Sequence, residues 1–203
     1  YTISPLNIYI GSPSLKVGCL AVPNALLSSK NFSAAFNEYE KISISFEGRS
    51  EAQKALFKGG ICLTEIYKQT NDPARKKTLA EKAHQLFDQL SINTPSPLEY
   101  LGKSIVYRLL NDFTEEIKSI IYSLLNHEEN HLVFIIHEHL IFRFYEELQS
   151  SRKNAFKLAL TLLQYIKTPL PSTVLDTIAS LIEPQIKIYP PLSIARIDYT
   201  HYI

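Results

Sequence analysis

The sequence contains no methionine and only two cysteines, Cys19 and Cys62, far apart and each in an apolar setting. Two thiols are too few for a disulfide framework, so both are expected to be inert core groups in a reducing compartment. A dominant charge is missing too. Lys plus Arg, 21 in all, nearly cancel 20 Asp plus Glu, which removes the electrostatic footprint that nucleic acid or an anionic membrane surface needs. Partners would have to be held by shape. No apolar run approaches the ~18 residues that cross a bilayer, and the start carries no charged-then-apolar leader, so the expected location is cytoplasmic. A chain that opens on Tyr1 and has no Met is expected to be a fragment of a longer protein.

The 203 residues are 45% hydrophobic, enough to bury a core. Residues 1–22 alternate: Leu6, Ile8 and Ile10, then a break at Gly11-Ser12-Pro13-Ser14, then Leu15, Val17 and Cys19. That pattern predicts a short β-hairpin, or the last strands of a preceding β-domain. From Pro23 the period shifts to about 3.6. Phe32, Ala35, Tyr39 and Ile42 form one stripe, Ala80, Ala83, Phe87 and Leu90 a second, and Ile117, Ile120, Ile121, Leu124 and Leu125 a third.

Helix starts are marked by chemistry. Ser50-Glu51-Ala52-Gln53 and Ser96-Pro97-Leu98-Glu99 fit capping boxes, and Asp72-Pro73 and Pro171-Ser172 give two more starts. Glu115 and Glu116 favour the positive end of a helix after Phe113, and Pro184 is expected to stop the last one. The predicted helices are 25–29, 31–43, 50–68, 73–91, 97–110, 113–126, 131–149, 153–167 and 172–182. Short connections make neighbours antiparallel, and no pair hides its stripe alone, so the pairs must stack as an α-solenoid. The division is thus 1–22 strands, 23–184 helical repeats, and 185–203 an irregular tail or the start of another repeat.

The 32-35-39-42 and 80-83-87-90 steps resemble the second helix of a tetratricopeptide repeat, and Leu98, Leu101-Gly102 and Ile105 resemble the first, with Gly102 where a small residue is required. The expected fold is mainly α: a tetratricopeptide-like right-handed superhelix of helix pairs. Further stretches carry a closer resemblance: Ser14-Leu15-Lys16-Val17-Gly18-Cys19-Leu20-Ala21-Val22-Pro23, Ser45-Phe46-Glu47-Gly48-Arg49, Pro97-Leu98-Glu99-Tyr100-Leu101-Gly102-Lys103 and Glu115-Glu116-Ile117-Lys118-Ser119. Over roughly residues 6–167 the chain resembles the region downstream of the kinase domain in chlamydial, PknD-type serine/threonine-protein kinases. The resemblance implies a parent ATP- and Mg-dependent bacterial kinase in which this segment is non-catalytic and joined to the rest of the kinase chain.

None of the kinase machinery lies in these residues: no Gly-rich loop, strand Lys or H-R-D loop. Asp112-Phe113-Thr114 approaches D-F-G but sits in a turn between helices. No catalytic residue and no cofactor is therefore expected here. His127-Glu128-Glu129-Asn130-His131 fits H-E-x-x-H, the pattern of a zinc hydrolase. It straddles a predicted connection, however, and His137 and His139 fall on other faces. Asn31-Phe32-Ser33 fits a glycosylation acceptor without a setting for it. Gly59-Gly60 inside a helix costs about 1 kcal/mol per Gly relative to Ala, which close packing would justify.

The expected function is recruitment of substrates or other protein and peptide partners to the kinase. A free-standing tetratricopeptide adaptor or secretion chaperone is the alternative, and a zinc-dependent hydrolase using His127, Glu128 and His131 is more remote. Counting from Gly102, the expected outward row is Glu99, Lys103 and Tyr107; counting from Gly60, it is Phe57, Ile61, Thr64 and Glu65. These seven form the candidate partner groove, in which Phe57 and Ile61 could equally pack on a neighbouring helix.

Overall fold

Periodicity of 3.6 with apolar stripes becomes nine α-helices among the described residues. The structure, a computed structural model, describes residues 18–92, 96–125 and 132–188. The helices are α1 (Ala21–Ser28), α2 (Phe32–Ser45), α3 (Ser50–Gln69), α4 (Pro73–Asp88), α5 (Pro97–Leu109), α6 (Phe113–Leu125), α7 (Leu132–Ser150), α8 (Arg152–Tyr165) and α9 (Ser172–Ile188), with a 3-10 turn at Gln89–Ser91 after α4. The strands expected at the start fall mostly on residues outside the described set. Within that set Cys19 and Leu20 form a turn and Ala21 already begins α1. Pro23 lies in the first turn of α1, where its missing N–H costs no hydrogen bond, so that helix starts earlier than 25.

The chain divides into two units, one up to Ile135 and one from Ile136. In the first, successive helices from α1 to α6 pack on one another, and α3 also reaches α5 across α4. Its core holds the first two predicted stripes intact: Phe32, Ala35, Tyr39 and Ile42, then Ala80, Ala83, Phe87 and Leu90 are all buried. Of the third stripe, on α6, only Ile120 and Leu124 are buried, while Leu125 is largely exposed and the small or polar Glu116, Ser119 and Ser123 are buried beside them.

In the second unit α8 packs on α9, with Ala155, Leu158, Ala159 and Leu162 of α8 and Val174, Ile178 and Leu181 of α9 buried. Ile136, Leu140, Ile141 and Phe144 of α7 are buried as well. Asn154 donates from α8 to Glu147 of α7 at 3.2 Å, and Arg152 reaches the carbonyl of Leu181 at 3.4 Å.

Local chemistry fixes the helix limits. Asp72 accepts from the amide of Ala74 at 3.1 Å ahead of Pro73, Asp112 from that of Glu115 at 3.2 Å, and Ser151 from that of Asn154 at 3.3 Å. The two expected capping boxes do not form. Ser50 is the first residue of α3 and its hydroxyl turns to Glu51. At α5 the Glu99 amide donates to the Ser96 carbonyl instead of its hydroxyl, the Ser96 amide donates to the Ser91 hydroxyl, and the Glu99 carboxylate is drawn to Lys103. Left-handed residues, Lys30 (φ 61) and Asn111 (φ 57), follow α1 and α5. α9 continues past Pro184 to Ile188, where a stop was expected. A proline removes one rung and clashes with one carbonyl, but the residues after it can resume the helix.

Candidate functional site

The packing of α3, α4 and α5 turns on one aromatic ring. Phe87 of α4 is wholly buried, and a Cβ on either Gly60 of α3 or Gly102 of α5 would overlap it. Phe57 adds a tilted ring contact to Phe87, with centroids 5.8 Å apart. A helix face is a strip in which residues three before and four after share a side. Phe57, Gly60 and Thr64 therefore point together at α4, and Glu99 accompanies Gly102.

This geometry places the seven candidate residues. Phe57, Ile61, Thr64 and Glu99 are buried rather than facing a free surface, and the Thr64 hydroxyl donates to the carbonyl of Ile61 at 2.7 Å. Glu65 pairs with Lys68 at 2.6 Å. Lys103 and Tyr107 face α4: Lys103 bridges Glu99 and Asp88, the latter at 2.5 Å, and Tyr107 Oη lies 3.3 Å from His84 Nε2. His84 Nδ1 is 3.2 Å from Asp88 Oδ2. The result is a polar seam between α4 and α5. Burial opposes ionisation of Asp88, yet the hydrogen bond and charge of Lys103, with His84 assisting, hold its carboxyl below the usual range. Burial likewise disfavours the Lys103 cation, and Asp88 and Glu99 together outweigh it and raise its pKa.

His84 also opens onto a groove of about 660 Å³ between the ends of α3 and α5 and the outer side of α4. Its floor is Pro73, Ala80, Val106 and Leu110 with the ring of Tyr67; Lys76, Lys77, Glu81, His84 and Gln85 line it as well. The Lys76 ammonium sits 5.1 Å above the Tyr67 ring. Periodicity cannot reveal such a groove, because it depends on how far the ends of three helices splay.

His127, Glu128 and His131 lie outside the described residues. Among the described residues no group of three His, Cys, Asp or Glu side chains is placed to hold a metal ion, and no helix is long and apolar enough to cross a membrane. His139 is buried, and His137 lies 3.3 Å from the hydroxyl of Thr168. Asp112, the acid of the near D-F-G, is taken up as the cap of α6. Cys62 is buried and its thiol pushed up to about 12, chiefly by burial, as an inert group should be. Cys19, expected in the core, is exposed because the turn before α1 leaves it at the surface.

One feature carried no sequence signal. Arg143 of α7 is only 1% exposed and pairs with Glu146 at 2.6 Å and with Glu147 at 2.8 Å, while Ser150 and Asn154 also reach Glu147. Arg-x-x-Glu-Glu reads as an ordinary solvated helix face unless tertiary packing is known.

No family model matches the chain, and no solved structure does. Curated relatives do. It is 33% identical over 177 residues to the serine/threonine-protein kinase PknD of Protochlamydia amoebophila, a match covering 87% of this chain and 17% of that protein. To the PknD kinases of Chlamydia pneumoniae and Chlamydia muridarum it is 35% and 37% identical, over 71% and 79% of this chain and 15% and 17% of theirs. The chain thus spans about a sixth of the length of these relatives, and it carries none of the motifs that hold ATP or transfer phosphate. It belongs to the PknD-type serine/threonine-protein kinases as a helical segment homologous to a stretch outside their kinase domain.

Proposed function

We propose that this segment is a tetratricopeptide-like interaction module that recruits protein substrates or partners to a PknD-type kinase. The observation that carries the reading is the Phe87 wedge. One aromatic seated against glycines of two flanking helices, α3 and α5, is how a degenerate tetratricopeptide repeat would join one helix pair to the next. Stacking of this kind leaves grooves along the helix ends, and the one beside His84, with Tyr107 at its border, offers an apolar floor and polar walls to a peptide. The module acts by raising the local concentration of its cargo at the catalytic domain.

The test is deletion of this segment from a full-length PknD-type kinase that carries it. Phosphorylation of a short generic peptide should keep its kcat and KM, while phosphorylation of native protein substrates should fall through a raised KM. Equal loss on both substrates would make the segment a structural support of the kinase domain instead.

A further inference from the structure

We propose that the α3–α4–α5 groove takes an acidic peptide carrying aliphatic anchors, a proposal that rests on the module reading above and names its cargo. The apolar half of the argument is the floor. Leu110 is 50% exposed, beside the buried Val106 and Ala80, so a leucine-sized surface is left uncovered inside a concavity large enough for one or two side chains. The charged half is the wall. Lys76 and Lys77 line it from the first turns of α4, next to Arg75 in sequence, with Glu81 one turn further on as the acid among the lining residues.

Cations there oppose the helix dipole, which the Asp72 cap favours. The two lysines are only weakly compensated. Lys77 lies 4.0 Å from Glu81, with both side chains more than half exposed, a contact worth little. Lys76 is met by the face of Tyr67 and by no carboxylate among the described residues. An uncovered aliphatic floor beside two weakly compensated lysines complements glutamate or aspartate next to leucine, isoleucine or valine. Lys82, further along α4, is by contrast paired with Glu40 and placed over Phe36.

The experiment uses the whole 203-residue chain and three short fluorescein-labelled peptides read by fluorescence anisotropy. One is glutamate-rich with leucine anchors; the second has lysine in place of glutamate, and the third alanine in place of leucine. The first should bind, about tenfold or more tighter than either of the others, and should weaken as salt is raised. The double variant Lys76→Glu with Lys77→Glu, and separately Leu110→Glu, should each weaken it by about tenfold with unchanged circular dichroism. Lys77 and Leu110 are exposed and Lys76 is half-buried, its ammonium over the Tyr67 ring. Equal binding of the lysine peptide, or unchanged affinity in both well-folded variants, would overturn the proposal.

The same double variant in the full-length kinase separates the two readings. If segment deletion abolishes substrate recruitment while the double variant retains it, the module stands and the groove does not. If both lose it, the groove is the docking site. If neither does, both readings fall.

Discussion

Two adjacent glycines in α3 face opposite consequences. A Cβ at Gly60 would overlap the Phe87 ring, whereas one at Gly59 would meet Tyr39 Cβ at 3.6 Å, an ordinary contact. Gly59→Ala should therefore be neutral or stabilise by up to the helix-propensity gain of ~1 kcal/mol. Gly102→Ala should destabilise despite the same gain, and Gly102→Leu by about 1–3 kcal/mol or more, because the ring it strikes is held between helices and has nowhere to turn. Urea midpoints for the set decide the matter, and Phe87→Leu should partly rescue Gly102→Ala in a double-mutant cycle. A second residue-scale expectation concerns His139. Burial, with Arg143 adding to it, lowers its pKa from 6.5 to about 3. The unfolded chain then binds the proton more readily, so the folded state keeps its full advantage above pH ~6.5 and loses it as pH falls from there toward 3, at up to ~1.4 kcal/mol per pH unit. Melting temperatures between neutral pH and pH ~5 should decline, and the decline should flatten in His139→Gln.

At the scale of elements, two ion-pair clusters of similar appearance should behave differently. Asp88 is half-exposed, so Asp88→Asn should cost under ~1 kcal/mol. Arg143 and Glu147 are both buried, and Arg143→Ala leaves a carboxylate without its cation in the second unit, at a cost of about 3–5 kcal/mol. Chemical denaturation of the two variants measures the contrast. What sequence could show of these elements follows from how local each determinant is. Asp72-Pro73 marked α4 to the residue, because cap and first-turn proline act within one turn. Ser96 placed the start of α5 correctly but not its bonding, since Glu99 had a better partner four residues on. Pro184 misled, as one lost rung is weaker than the packing of Val174, Ile178 and Leu181 before it. The partner row was least legible. Gly102 lies at a helix contact, as its small size suggests, and its neighbours Glu99 and Lys103 turn toward α4 instead of outward, which a row counted on spacing alone does not distinguish. The groove itself needs three helices to exist.

At the scale of the whole molecule, the chain matches only 15–17% of each of three PknD relatives, so a recruiting role as proposed would act on phosphorylation without touching the reacting atoms. Its six glycines, Gly11, Gly18, Gly48, Gly59, Gly60 and Gly102, are nowhere spaced as a phosphate-covering loop, and Asp112 spends its carboxylate on the amide of Glu115. The free chain should accordingly show no phosphoryl transfer in a preparation cleared of other kinases. A recruiting module has a sharper signature, however, than inactivity. Added in trans to the full-length kinase, the chain should compete for docked cargo, because each substrate molecule held on the free segment is one not delivered to the catalytic domain. The expected kinetics are a rise in KM for protein substrates that scales with the concentration of added chain, at constant kcat, and no change for a short peptide that does not dock. A chain carrying Lys76→Glu and Lys77→Glu should lose this inhibition while remaining folded. Inhibition of both substrates alike would mean that the segment acts on the catalytic domain directly, and no inhibition at saturating chain would remove the recruiting role.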